Sequence, residues 1–383
     1  MRNALSALRP VYVIGVGNHR YQRRSQTSYV ELGLTAVRAA LADAGIAWPA
    51  VESAYLASTQ LDMSPARPML RHLGCTGIPM QQVENASASG STAFRNAVMD
   101  VAAGMSEISL AVGVDKPRSL TLGQTHNGLD SLERDRVSPF THFALLAEKY
   151  AAESGATAAD FARVAVKNLG NGARNPWAHR QQAYSLEEIM GGDPVAGFLT
   201  PLQCCPVGEG AAAVLVASEQ ALCRYGIEPP RAPRVLNSTA RSERLYPDAT
   251  GWDAALTQET VLQAYAEADV RPEQLDIVEM HDAFTVEELL YVEQMGLCAP
   301  GTAAAELRSG AFDIGGRVAV SPSGGLLAMG HPLGPTGLGQ ICEITRQLRG
   351  EAQGRQHPGA RTAMAHMLGA GAVCVVHILR NET

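Results

Sequence analysis

An α/β architecture, with sheets covered by helices, follows from two features of the sequence. Short β-branched apolar runs alternate with longer alanine-rich segments of helical periodicity, the pattern of strands shielded by helices. One such unit also recurs. Residues 36–58 (AVRAALADAGIAWPAVESAYLAS) and 261–283 (VLQAYAEADVRPEQLDIVEMHDA) align without a gap at an offset of 225. Each reads as helix, proline-bearing turn, acidic residue, apolar strand and polar exit, the mark of a duplicated fold.

Taken in order, Val11 to Val16 predicts the first strand, and Val30, Leu34, Val37, Leu41 and Ala44 recur at helical spacing over Tyr29 to Ala44. Gly45 is placed to stop that helix. A strand follows at Ala54 to Ala57, a small-residue helix at Ser89 to Gly104 and a strand at Ile108 to Val114. Each half has a small-residue loop opening a helix, ASASGSTAF at 86–94 and SPSGGLLAMGHPLGPTG at 321–337. Each then reaches an apolar strand, so that Ile108 to Val114 is expected to correspond to Val373 to Leu379. Duplication puts the exits at Ser58 and at His281 to Ala283 on equivalent strand ends, where α/β sheets bind ligands. The division falls into residues 1–235 and 236–383, with an insertion at about 116–202 that fits neither copy. That insertion, with helical segments at Phe143 to Ser154 and Phe161 to Leu169, reads equally as a lid over a site or as an oligomer contact.

At 383 residues, 46% hydrophobic and 18% charged, the chain is long enough for two core-bearing halves. A net charge of −7 argues against general affinity for nucleic acid or anionic membrane. No run of about eighteen apolar residues occurs, and Met1 to Pro10 lacks a signal-peptide core, which predicts a cytoplasmic protein. Seven cysteines without C-x-x-C spacing disfavour both a disulfide framework and a zinc ribbon, so no metal site is expected within the chain.

Four blocks hold candidate chemistry. In Asn85-Ala-Ser-Ala-Ser-Gly-Ser91, Ser87 stands just before a helix, where the dipole and free amides favour an anionic nucleophile or an oxyanion. A hydroxyl there still needs a base, and the residues alone favour a helix cap over a nucleophile. In Glu279-Met-His-Asp-Ala-Phe-Thr285, His281 ends a strand, where an imidazole can donate to a carbonyl or its enolate. A structural histidine reads equally well, and Asp282 is placed to cap the following helix. Glycines flank His331 in Gly330-His-Pro-Leu-Gly-Pro-Thr-Gly337, and such control of the backbone around one imidazole favours function. Gly369-Ala370-Gly371 reads as oxyanion-hole amides or as a bulge.

These blocks, in this order, resemble the thiolase superfamily, in particular the sterol-carrier-protein-type thiolases and thiolase-like lipid-transfer proteins. VAVKNLGNGARNP at 164–176 and CCPVGEGAAAVLVAS at 204–218 extend the likeness over essentially the whole chain. The resemblance implies two tandem βαβαβαββ halves in a five-layered αβαβα arrangement, an inserted loop domain over coenzyme A as co-substrate, and a homodimer. It implies that Ser87 occupies the acyl-cysteine position, that His331 activates the nucleophile and that His281 binds the thioester oxygen. It implies an oxyanion hole from the amides of Ser87 and Gly369, and a small OB-fold and zinc-ribbon partner protein. Two departures matter. Serine stands where the family carries its nucleophilic cysteine. Ala283 and Met367 occupy the positions of the second cysteine, which leaves His142 and His366 as candidate auxiliary acid/base groups or as structural histidines. The implied activity is acyl transfer to or from 3-oxoacyl-CoA. The alternatives are retro-aldol cleavage of 3-hydroxyacyl-CoA and non-catalytic binding of acyl-CoA or lipid.

Overall fold

The structure is a computed structural model that describes residues 5–117, 139–246, 252–369 and 373–382. Its strands are β1 (Val11–Gln22), β2 (Ser53–Ala57), β3 (Met80–Val83), β4 (Ile108–Asp115), β5 (Glu209–Ser218), β6 (Arg234–Ser242), β7 (Ile277–Glu279), β8 (Ala319–Val320), β9 (Thr362–Gly369) and β10 (Val373–Arg380). They run in the order β3-β2-β4-β5-β1-β6-β10-β9-β7-β8. Read from the seam between β1 and β6, the two sides are the same list. Each has its first strand at the seam, then the fifth, fourth, second and third. Pairing repeats too: β2 lies parallel to β3 and β4 as β7 does to β8 and β9, while β5 and β10 run antiparallel to their neighbours. The strands of the two halves pair at one position, Tyr12 with Arg234.

The duplication therefore holds, and β2 and β7 bear the matching exits. One expected correspondence does not hold. Ile108 to Asp115 is the fourth strand of its half and matches β9, whereas Val373 to Arg380 is a fifth strand and matches β5. The insertion separates β4 from β5, while β9 and β10 follow one another closely, so the sequence hides this correspondence.

Helix Tyr29–Ala44 starts at a Ser28 cap and ends at Gly45 in the left-handed conformation, φ 67°. It packs outside the first half's strands, and helix Trp252–Ala268 takes the equivalent place on β6 and β10. Between the two sets of strands lie helices Ser89–Ala102 and Leu333–Leu348, packed on each other. The strands feel this layering directly. On β5, Ala211, Ala213, Leu215 and Ala217 face the outer cluster, while Ala212, Val214 and Val216 face the central one. That is strand alternation with both faces buried.

The described part of the insertion forms helices Pro139–Ser154, Ala158–Gly172 and Leu186–Met190. Phe161, Val164, Ala165 and Leu169 are fully buried in one apolar cluster with Leu289, Val292 and Leu307 of the second half. This part is built into the second half rather than standing away from it. Residues 118–138 of the insertion lie outside the described residues.

The central helices meet at glycines. A Cβ on Gly90 would stand 2.6 Å from the Gly334 carbonyl oxygen, and one on Gly337 would stand 2.2 Å from Ser91 Oγ. Hydrogen at both positions lets the two helix N-termini approach, and with them the residues just ahead of each helix: Ser87 and His331.

Candidate active site

Ser87 precedes helix Ser89–Ala102 by two residues and is not its cap. The N-cap is Ala88, which makes no side-chain capping bond. The turn is held by Ser89, whose Oγ donates to the Ala86 carbonyl and accepts from the Asn85 N–H at 2.8 Å. Ala86 adopts φ 47°, a left-handed conformation unfavourable for a residue with a Cβ. This tight corner leaves the Ser87 side chain directed at the second half.

Ser87 Oγ lies 2.9 Å from His331 Nε2. His331 Nδ1 lies 2.9 Å from Thr336 Oγ1, whose single hydroxyl proton is donated to the Pro332 carbonyl at 2.6 Å. Thr336 must therefore accept from the imidazole. Nδ1 carries the proton, and Nε2 presents a lone pair to the Ser87 hydroxyl. Burial holds the His331 pKa well below its ordinary 6.5, and the neighbouring His281 pushes the same way. The result is a neutral base aimed at residue 87.

The His331 loop is positioned from several directions. Its N–H donates to the Pro206 carbonyl at 3.0 Å. Asp115, at the end of β4, accepts from the Gly334 N–H at 2.6 Å, and its carboxylate also takes the Ser58 hydroxyl and the N–H groups of Thr59 and Gln60. A strand end of the first half thus anchors the helix start of the second. From the insertion, Asn175 donates to the Ser323 carbonyl, and Arg180 to the carbonyls of Leu327 and Cys204.

His281 follows β7, its ring centroid 5.4 Å from that of His331 and nearly perpendicular to it. Its Nδ1 lies 2.7 Å from Glu287 Oε1. Glu287 Oε2 accepts the Phe284 N–H at 2.9 Å, so one carboxylate caps helix Thr285–Gln294 and orients the imidazole. Asp282 does not cap that helix. It accepts the Leu326 N–H at 2.6 Å and the Asn168 amide at 2.7 Å, tying the glycine-rich loop to the insertion. Gly325 is required there, because a Cβ would lie 1.9 Å from Asp282 Oδ2. Lys167 stands 3.1 Å from the fully buried Glu288 beside this group.

Ser87, His281 and His331 are buried, with 8%, 7% and 8% exposure. His366 differs. It is fully buried, its Nε2 3.0 Å from Thr257 Oγ1, and burial pushes its pKa down to about 3. His142 is partly exposed and lies 3.6 Å from Asp253; that carboxylate raises its pKa above the ordinary value, against the effect of burial. Neither histidine is bonded to Ser87. Gly369 closes β9 against the Ser87 turn, since a Cβ there would stand 2.4 Å from the Asn85 carbonyl oxygen. Ala370 and Gly371 lie outside the described residues. Opposite Ala283, the Cys205 N–H donates to the Ala283 carbonyl at 2.8 Å, and burial pushes the Cys205 thiol up.

Glu287, Thr336 and Asp115 are the residues that sequence reading missed. Glu287 has a signal, being the third residue of the helix and four before Tyr291. Asp115 has none, because its partner is 219 residues away.

Residues 13–190 match the family described as "Thiolase, N-terminal domain", and residues 240–381 match "Thiolase C-terminal domain-like". The chain belongs to the thiolase superfamily. It is 37% identical to the benzoylsuccinyl-CoA thiolase subunit BbsB of Thauera aromatica, with 95% of each chain covered. It is 34% identical to sterol carrier protein 2 of Oryctolagus cuniculus, covering 98% of this chain and 73% of that one. Among solved structures, the Ltp2-ChsH2(DUF35) aldolase matches with a TM-score of 0.83 at 24% identity, over 97% of this chain and 98% of that one. Human mitochondrial 3-ketoacyl-CoA thiolase in complex with CoA matches with a TM-score of 0.76 at 19% identity, over 100% of both chains. At these identities the solved structures establish a shared thiolase fold. Among the described residues, no helix is long and apolar enough to cross a membrane.

Proposed function

We propose that this thiolase-family chain is an acyl-CoA C-acyltransferase that cleaves or forms 3-oxoacyl-CoA thioesters, with coenzyme A as co-substrate. The observation that carries the reading is the 2.9 Å contact between residue 87 and the neutral Nε2 of His331, with the His281 ring 5.4 Å from that of His331. In thiolysis the side chain at 87 attacks C3 of the substrate and its proton passes to His331 Nε2. The C2–C3 bond breaks, its electron pair delocalises onto the thioester oxygen facing His281, and C2 is protonated. The thiol of coenzyme A then takes the acyl group, its own proton replacing the one delivered to C2, and His331 returns its proton to residue 87. The amides of Ser87 and Gly369 are the proposed oxyanion hole, supported by the close approach of Gly369 to the Ser87 turn.

Serine is a poor fit to both steps. A hydroxyl is the weaker nucleophile, and an oxygen ester is less reactive toward a thiol than a thioester. The Ser87→Cys chain is therefore the form expected to run the family reaction at full rate. A bulky or aromatic acyl group is proposed from the benzoylsuccinyl-CoA relative, and that relative's being a subunit supports a partner protein. For the implied homodimer, the available sheet edge is β3, where Gln81 and Gln82 are exposed.

The serine itself favours a second reading, retro-aldol cleavage of a 3-hydroxyacyl-CoA. That reaction needs a base for the 3-hydroxyl, which His331 supplies, and no acyl-enzyme. The test is CoA-dependent cleavage of several 3-oxoacyl-CoAs by the Ser87→Cys chain. Gain of thiolysis and of iodoacetamide sensitivity supports acyl transfer. Their absence, with cleavage of 3-hydroxyacyl-CoA by the unaltered chain, replaces it with the lyase.

A further inference from the structure

His281 begins a line of side chains that leads away from Ser87 toward the inserted segment. Its Nδ1 lies 2.7 Å from Glu287 Oε1, on a side chain with 0% exposure. The Tyr291 hydroxyl lies 3.3 Å from the same Glu287 oxygen and 3.1 Å from Asp253 Oδ2. Asp253 Oδ2 in turn lies 3.6 Å from His142 Nε2, whose side chain is 26% exposed. The line therefore runs from a site imidazole to one that meets solvent.

Three segments distant in sequence build this line. Glu287 and Tyr291 share a face of helix Thr285–Gln294 at i, i+4 spacing. Asp253 comes from the first turn of helix Trp252–Ala268, and His142 from helix Pro139–Ser154 of the insertion. Capping does not explain Glu287, because the cap uses only Oε2. A fully buried carboxylate is costly unless its other oxygen is also satisfied, and here His281 satisfies it, with the one Tyr291 hydroxyl proton shared between Glu287 and Asp253.

We propose that Glu287, with Tyr291, Asp253 and His142 behind it, is a positioning residue that makes His281 the second acid and base of the reaction. The inference rests on the acyl-CoA reading above. It addresses the departure noted at Ala283 and Met367, where the family's second cysteine is missing. In the cleavage direction His281 acts from its doubly protonated form, against the Glu287 carboxylate. When the C2–C3 bond breaks, its electron pair is shared between C2 and the thioester oxygen, and the proton on His281 Nε2 moves to C2. His281 is left as a neutral imidazole, Nδ1–H donating to the Glu287 carboxylate. The incoming thiol of coenzyme A restores the proton as it attacks the acyl group. In condensation the same Nε2 removes the proton from C2. Glu287 keeps the donor on Nδ1, so that Nε2 faces substrate, and stabilises the positive charge that develops on the ring. Tyr291 and Asp253 hold Glu287 and connect it to solvent at His142.

The titratable groups around His281 come from several elements: His331 before helix Leu333–Leu348, His366 on β9, and Asp282 beside it in the chain. Cys205, before β5, faces Glu287 and Asp282. The test isolates the pair from residue 87 by following exchange of the C2 protons of propionyl-CoA with D2O by mass spectrometry, across pH. Exchange needs an acid/base at C2 but no acyl-enzyme.

The unaltered chain is expected to exchange. Glu287→Gln, which keeps a capping oxygen, is expected to slow exchange by about 100-fold and move its acid limb to lower pH. Tyr291→Phe, nearly isosteric, is expected to move the limb the same way with a smaller loss. A merely structural role would lower thermal stability and leave the pH profile in place. Native exchange rates and an unmoved profile in both folded variants would overturn the proposal, as would absence of exchange in the unaltered chain at saturating propionyl-CoA. Glu287-dependent exchange in a Ser87→Cys chain that performs no thiolysis upholds the pair and removes the acyl-transfer reading. Thiolysis with exchange indifferent to Glu287 does the reverse.

Discussion

His331 Nε2 stands 2.9 Å from Ser87 Oγ although 244 residues separate them. A thiol placed at 87 therefore meets a base already aimed at it. In the Ser87→Cys chain, alkylation by iodoacetamide should proceed with an apparent pKa below the ordinary cysteine value of about 8.5. Adding His331→Ala should raise that midpoint by at least about one unit, a tenfold loss of thiolate near pH 7. The pH dependence of the alkylation rate measures both.

Thr336 selects the His331 tautomer by accepting from Nδ1. Thr336→Val removes that acceptor and leaves a buried donor unpaired. Stability should fall by about 1–3 kcal/mol, read from urea denaturation. In the Ser87→Cys background the alkylation midpoint should also rise, although residue 336 does not touch the thiol.

The glycine contact between the central helices gives a steric prediction. In Gly337→Ala the new methyl would lie 2.2 Å from Ser91 Oγ and 2.7 Å from the Ser91 nitrogen. The helices must part, at a cost of about 1–3 kcal/mol, and His331 must withdraw from residue 87. Denaturation midpoints should drop, with activity lost by more than the folded fraction accounts for.

Buried histidines set the response to acid. Burial pushes His366 and His377 down to about 3 and His179 to about 4, and holds His331 below its ordinary value. Each takes its proton in the unfolded chain near pH 6.5 but not in the folded one. Stability is therefore complete above about pH 6.5 and is lost as pH falls from there toward 3. The melting temperature should decline over that window. His377→Asn should remove roughly 1 kcal/mol per pH unit from the slope.

Lys167 offers a test of the buried charges under the site. Its amine lies 3.1 Å from Glu288, with side-chain exposures of 6% and 0%. Lys167→Met strands that carboxylate near Asp282 and should cost about 3–5 kcal/mol. Lys167→Met with Glu288→Leu should recover much of the loss, as a chemical-denaturation cycle would show.

Local elements were legible in the sequence to within a few residues. Helix Tyr29–Ala44 and its Gly45 stop follow from spacing and from glycine's access to positive φ. The strands expected at Val11, Ala54, Ile108 and Val373 all exist. β3, β5, β6, β8 and β9 went unread; of these β3 and β8, with four and two residues, are too short for periodicity to register. The correspondence of Ile108 to Asp115 with β9 was also hidden, because it is a matter of pairing order rather than of local pattern. At the site, the ordered blocks named Ser87, His281, His331 and Gly369 without showing which of them touch.

By itself, then, the sequence determined the duplicated α/β architecture, the family and the glycine-flanked positions of the candidate site. These are properties of short segments, in which periodicity, capping and glycine's freedom act over a few residues. Only the tertiary structure decided that His331 bonds Ser87, that Glu287 rather than Asp282 holds the start of the helix after His281, and that a line of side chains reaches His142. Each is a contact between separate elements, set by how closely two helices approach and by which buried polar groups must satisfy one another.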